Sequence, residues 1–253
     1  LKKETKALSM SVNEFEHTLN LNLLLKSLPR DVLLRMGSGL ELVDLKMGQV
    51  LYETSQIISS VYFPTTAVAS MFCVLENKDS AEIAIVGNEG MLGVFLFMSQ
   101  HASPSYTVVQ AAGQAYRLDA SQFNSEFYRT GPLFKLMLRY IQALITQMTQ
   151  NAVCNRHHSI DQQLCRWLLL SLDRAQGNEL VMTHEHISAM LGVRRVGITV
   201  AAGKLQAAGL IQYNRGKILV LSRKGLEARV CECYPLVQRE FECLLGNQSC
   251  HSV

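Results

Sequence analysis

The apolar positions of this chain follow two rhythms. Between residues 39 and 118 they come in short runs separated by turn residues: 50–52, 57–63, 67–75, 81–86, 106–111 and 114–118. Runs this short and closely spaced predict an antiparallel barrel or jelly roll rather than alternating strands and helices. Elsewhere the spacing is helical. Residues 19–36 read as two short helices broken at Pro29, and Asp119 stands as the cap of a short helix over 120–128. Gly131-Pro132 then opens the longest helical stretch, to about residue 155, with proline in its first turn. Leu133, Met137, Tyr140, Leu144 and Met148 recur along it every three or four residues, widened by Leu136 and Ile141. A stripe on so long a helix needs a partner, and the expected partner is a second copy of the chain. A further helix over 160–174 carries Leu164, Trp167, Leu168 and Leu172 as core, with Trp167 a packing residue.

Residues 183–221 are the most informative. They read as a short helix, a glycine turn, a second helix and a two-stranded hairpin, which is a winged helix-turn-helix. Thr183 is the expected N-cap, Ile187, Met190 and Leu191 the inner stripe, and Gly192 the left-handed terminator. The second helix runs from about 194 to 208 with Ile198, Ala202 and Leu205 inward. Arg195, Val196, Thr199, Val200 and Gly203 are left facing outward. Asn214-Arg215-Gly216 is turn chemistry between the two wing strands.

Charge sharpens this picture. The net charge of +3 over 253 residues hides an asymmetry: residues 182–224 hold seven Lys or Arg against one acid, Glu185, whereas residues 1–128 hold nine bases against thirteen acids. A basic helical module on a mildly acidic body is the footprint of a phosphate-backbone binder. No apolar run approaches the length of a membrane span, and residues 1–16 lack the apolar core of a secretory signal. Seven scattered cysteines without such a signal predict reduced thiols and a cytoplasmic protein.

The order of short motifs adds a family resemblance. Gly48-Gln49-Val50-Leu51-Tyr52-Glu53, Val61-Tyr62-Phe63-Pro64 and Gly87-Asn88-Glu89-Gly90-Met91-Leu92-Gly93 are followed by Leu191-Gly192-Val193 and the 205–211 segment. In this order the chain resembles the Crp/Fnr superfamily of bacterial transcription regulators. The resemblance implies an α+β fold: an N-terminal antiparallel β-barrel or jelly roll like the cyclic-nucleotide-binding domain, a long dimerisation helix and a C-terminal winged helix-turn-helix. The expected divisions are 19–130 for the sensor barrel, 131–158 for the dimer helix and 159–246 for the DNA-binding domain with its tail. Double-stranded DNA and a second copy are the implied partners. RNA polymerase and an unidentified small-molecule effector are further candidates, and no enzymatic role or cofactor is implied.

The departures matter as much. Where cyclic-nucleotide binders of the family place a ribose-binding Glu after Gly93, this chain has Val94, and their phosphate-binding Arg-Ser falls near Ser103-Pro104. No arginine lies between Arg35 and Arg117. A buried phosphate without a cation carries a large desolvation cost, so cyclic AMP is not the expected ligand. The barrel either holds another ligand or serves as a dimer scaffold. No cysteine precedes Cys73, which speaks against an Fnr-type N-terminal iron–sulfur cluster, and Cys73 and His101 form no convincing haem site.

The family's Ser-Arg-Glu at the start of the recognition helix, with an Arg one turn on, reads here Arg194-Arg195-Val196 and then Val200. Arg195 is positioned to pair with a guanine edge. The valines offer thymine-methyl contacts instead of hydrogen bonds, which predicts a half-site unlike the family's usual one. Arg194, Thr183, His184, Lys204, Arg215 and Lys217 are the expected backbone contacts, setting affinity rather than sequence.

Two competing classes fit less well. A cupin-like metal enzyme with an appended helix-turn-helix lacks paired barrel histidines. An interaction module that has lost DNA binding sits poorly with the basic wing. The tail cysteines Cys231, Cys233, Cys243 and Cys250 with His251 match zinc-site spacing poorly, so packing is expected rather than a metal centre. His157-His158 and His184-x-His186 are expected to be solvated.

Overall fold

The computed structural model describes residues 19–77, 79–98, 102–175 and 177–246. Helices α1 (Leu23–Ser27) and α2 (Arg30–Gly37) precede strands β1 (Glu41–Leu45), β2 (Val50–Tyr52), β3 (Ser60–Pro64), β4 (Val68–Val74), β5 (Ser80–Val86), β6 (Tyr106–Ala111) and β7 (Gly113–Asp119). These form two antiparallel sheets, ordered β1-β7-β3 and β2-β6-β4-β5. Inward residues alternate along β3, so that Val61 and Phe63 reach the core while Ser60 and Tyr62 are partly covered. The expected jelly roll is therefore present, with β1 an addition that its mixed polar pattern concealed.

Helix α3 (Ala120–Phe127) leads into α4 (Pro132–His157) and α5 (Ile160–Arg174). Phe97, Phe127 and Phe134 stack around the start of α4, with ring centroids 4.5 and 5.1 Å apart. The corner between α4 and α5 is fixed by a capping box: the Ser159 hydroxyl accepts from the Gln162 backbone while the Gln162 side chain answers the Ser159 N–H. Strand β8 (Glu179–Val181), helices α6 (His184–Leu191) and α7 (Arg195–Ala207), and strands β9 (Ile211–Asn214) and β10 (Lys217–Val220) follow. The wing is a three-stranded sheet, β8-β10-β9, because the short run at 179–181 adds an outer strand. Helices α8 (Arg223–Glu227) and α9 (Cys233–Leu244) occupy what the sequence suggested was a tail.

Helix α9 overturns the expected dimer stripe. Leu133, Met137, Tyr140 and Leu144 are at most 3% exposed within a single chain. The Tyr140 ring meets Phe241 of α9 edge-on at 6.5 Å, and its hydroxyl donates to the Met91 carbonyl at 2.8 Å. Met148 is half-buried against the same core. The most apolar face of α4 is thus spent on the chain's own α9 and barrel. Deeper along the helix, Gln147 accepts from the Ile85 N–H (2.8 Å) and donates to the Ile85 carbonyl (3.2 Å). Asn151 donates to the Ile83 carbonyl at 2.9 Å. These two amides satisfy the open edge of β5 as a neighbouring strand would.

One buried ion pair joins the barrel to α5. Arg174 Nε lies 2.6 Å from Glu89 Oε1, the side chains 4% and 12% exposed. Gly87 sits so close to the Arg174 side chain that a Cβ there would fall 2.8 Å from it. Among the described residues, no helix is long and apolar enough to cross a membrane.

Candidate nucleic-acid interface

The Thr183 hydroxyl accepts from the His186 N–H, capping α6, and Gly192 ends the helix in the left-handed conformation at φ 64°. The chain then turns directly into α7, whose inner face is Ile198, Ala201, Ala202 and Leu205. This leaves Arg195, Val196, Thr199 and Val200 facing solvent, Val196 and Val200 at 73% and 54% exposure. Gly197 lies against Ile160 of α5, where a Cβ would meet the Ile160 side chain at 2.6 Å. The glycine that weakens α7 therefore permits its close approach to α5.

Arg195 Nε rests 3.6 Å from Glu185 Oε2, both side chains exposed, and Arg194 is exposed at the helix N-cap. Arg215 forms the wing tip with φ 46°, followed by Gly216 at φ 81°. Two successive positive φ values make a two-residue hairpin whose twist suits the strands, and hold an arginine in a conformation that L residues rarely adopt.

Other expected backbone contacts are differently placed. His184 is half-buried, its ring stacked on Tyr213 at 4.0 Å and its Nδ1 3.2 Å from Thr199 Oγ1. Burial, and then the nearby Arg195 charge, hold its pKa below the usual value, so it is a neutral spacer between α6, α7 and β9. The Thr183 hydroxyl is committed to its cap. Lys204 pairs with Asp161 at 3.0 Å and Lys217 with Glu179 at 2.9 Å. Counting charge along the 182–224 window could not find these acids, which come from α5 and β8. Such exposed pairs are worth about 0–1 kcal/mol and exchange readily for a phosphate.

Of the residues expected to line an effector pocket, Val94 and Ser103 are buried and Pro104 is exposed. Gly93, at φ 97°, abuts Tyr52, whose hydroxyl would lie 2.8 Å from a Cβ there. Val94 and Ser103 are 1% and 2% exposed, the Ser103 hydroxyl donating to the Ser105 carbonyl, while Pro104 is on the surface. The described cavities lie elsewhere. One of about 830 Å³ runs between the outer face of β4 and β6 and helix α6, lined by Phe72, Tyr106, Val108, Met182, His186 and Met190. A second, of about 390 Å³, lies beside Trp167 and β8. Neither includes Gly93, Val94, Ser103 or Pro104. His101, Cys250 and His251 lie outside the described residues.

A further cluster was missed by sequence spacing. Cys154 and His158 at the end of α4 meet Cys231, just ahead of α9, and Cys233, its first residue. His158, expected to be solvated, is drawn inward with a side chain 14% exposed.

With this geometry in hand, known proteins give a consistent comparison. A sequence profile of the Crp-like helix-turn-helix domain matches residues 162–229. Curated proteins give no sequence match. Among solved structures, the chain is similar to a transcriptional regulator of the Crp/Fnr family from Eubacterium rectale, at 17% identity and a TM-score of 0.66, over 87% of this chain and 99% of that one. FixK2 from Bradyrhizobium japonicum aligns at 12% identity and 0.63 over 76% and 98%. A CRP/FNR-family regulator from Thermus thermophilus aligns at 18% and 0.60 over 74% and 97%. Residues 162–229 thus match a Crp-like helix-turn-helix domain, and the chain shares the fold of these solved structures.

Proposed function

We propose that the chain acts as a homodimeric, sequence-specific DNA-binding regulator whose barrel does not bind cyclic AMP. The observation that carries the DNA reading is the outer face of α7: Arg195, Val196, Thr199 and Val200 are exposed, flanked by Arg194 and the Arg215 wing tip. An exposed pair of valines beside an exposed arginine suits a groove in which one guanine and neighbouring thymine methyls are read.

The dimer reading moves to the second face of α4. Leu138, Ile141, Ile145 and Ala152 follow one another at three, four and seven residues, a heptad seam. Leu138 and Ile145, within that seam, are 50% and 54% exposed. A 3.5-residue repeat on a 26-residue helix favours pairing with a copy of itself. The cyclic AMP reading rests on the buried Gly93 turn and on the arginines nearest to it along the chain. Arg35 is bound to Glu126 at 2.7 Å, and Arg117 to Glu41 at 2.6 Å.

Fluorescence anisotropy on the upstream DNA of the chain's own gene and on a scrambled duplex, across a salt series, tests the first claim. A site-specific complex that weakens steeply with salt is expected. Equal affinity for both duplexes, with and without cell-derived small molecules, would overturn it. Calorimetry with cyclic AMP is expected to give no binding heat, and micromolar or tighter binding would refute that part.

A further inference from the structure

We propose that Cys154, His158, Cys231 and Cys233 form a closed tetrahedral site for a zinc-class divalent cation that ties together the two ends of the DNA-binding module. The four ligand atoms lie within 4.8 Å of one another, three of the residues buried and His158 nearly so. Cys154 Sγ is 3.6 Å from Cys231 Sγ, and Cys233 Sγ is 3.6 Å from His158 Nδ1. Zinc sits about 2.3 Å from sulfur and about 2.0–2.1 Å from nitrogen, so tetrahedral angles place neighbouring ligand atoms roughly 3.5–3.8 Å apart. Both measured edges fall in that range. Three soft thiolates and one imidazole select zinc over the oxygen-loving cations.

The spacing that looked poor along the chain becomes ordinary in space. Cys231-x-Cys233 is half a site. The other half is Cys154, in the last turn of α4, and His158, the extended residue that caps its C-terminus. The surroundings fit a metal centre as well. The other ring nitrogen of His158, Nε2, lies 3.4 Å from Glu232 Oε1, an arrangement in which a carboxylate orients the imidazole. Gln163 Nε2 donates to the His158 carbonyl at 2.9 Å, fixing the corner. Three thiolates and a divalent cation carry one net negative charge. Arg166 is 3% exposed and bonds Asn151, three residues before Cys154. Its Nε has no hydrogen-bond partner among the described residues.

The position gives the site its consequence. The ligand pairs bracket the matched helix-turn-helix segment, 162–229. A cation bound to all four fixes both ends of that segment against the end of α4. Binding converts three thiols to thiolates and releases their protons, so affinity falls as pH is lowered. The site stands on its own geometry, whatever the helix-turn-helix binds.

The test uses the full reduced chain, stripped with a chelator and titrated with Co2+. One equivalent per chain is expected, with thiolate-to-cobalt charge transfer and tetrahedral d–d absorption that Zn2+ displaces. Cys154→Ser and Cys231→Ser should each abolish that spectrum, while Cys73→Ser and Cys250→Ser keep it. Glu232→Gln, which leaves all four ligands in place, should weaken Zn2+ binding about 10- to 100-fold. A reduced wild-type chain that gives no tetrahedral cobalt spectrum overturns the proposal, without reference to any variant. So does a spectrum that survives Cys154→Ser, or a Cys154–Cys231 disulfide that persists under reductant and excludes metal.

Discussion

Glu89 shows what a single residue does here. It sits in the Gly87 to Gly93 turn, accepts the Gly87 N–H, and meets Arg174 of α5 inside the protein. Removing one partner of a buried ion pair strands the other charge, at a cost of about 3–5 kcal/mol. Glu89→Gln is therefore expected to lower the unfolding free energy by that amount, read as a lower urea midpoint at unchanged slope, and a loss below about 1 kcal/mol would show the pair to be solvated. Glu82 is the opposite case. It is buried, accepting from the Ser70 hydroxyl at 2.6 Å, and burial raises its pKa above 4.5 despite that bond and the fields of Arg166 and Arg174. A carboxyl whose folded pKa is raised contributes stability below its unfolded value, and that contribution is lost as pH climbs through the folded one. Glu82→Gln should stabilise the chain near neutral pH and flatten the stability curve above pH 4.5. An unchanged curve would refute it. At this scale the sequence was readable where the chemistry is local. The Thr183 cap and Gly192 stop act within three or four residues. The partners of Glu89, Lys204 and Lys217 lie tens of residues away, which no local pattern encodes.

Among the elements, α4 is the instructive one, because it has two apolar faces. Its stronger stripe, Leu133 to Met148, looked like the dimer seam and instead packs on α9 and the barrel. The weaker heptad through Leu138 and Ile145 is left outside. Ile145→Asp is expected to yield folded monomers in sedimentation equilibrium, and a dimer that persists would place the interface elsewhere. Gln147 serves the inner face. Gln147→Leu would leave the Ile85 N–H and carbonyl unpaired in the core, a loss of about 1–3 kcal/mol for a buried group, measurable by denaturation. Hydrophobic period identifies a helix and its apolar faces. It cannot rank them by partner, since α9 lies far further along the chain.

Across the whole molecule, one continuous core runs from the barrel through α4 and α5 into the helix-turn-helix. The 830 Å³ cleft opens between sheet and α6 within that continuous body. The basic surface then acts as one electrostatic unit. Lys204→Ala is expected to weaken binding to all duplexes alike and to shallow the salt slope by about one. Arg195→Ala should cost about 1–3 kcal/mol mainly on the cognate site. Equal losses on cognate and scrambled DNA would refute that assignment.

The sequence by itself determined the α+β class, the order of barrel, long helix and winged helix-turn-helix, and the boundaries of most helices. Each of these is written in periodicity, caps and turns, which act over a few residues. Only the tertiary structure decided which face of α4 is inside, where the cavities lie, and that Cys154 and His158 stand beside Cys231 and Cys233. Those outcomes depend on segments far apart in the chain meeting in space, and burial assigns partners by proximity in the fold rather than along the sequence.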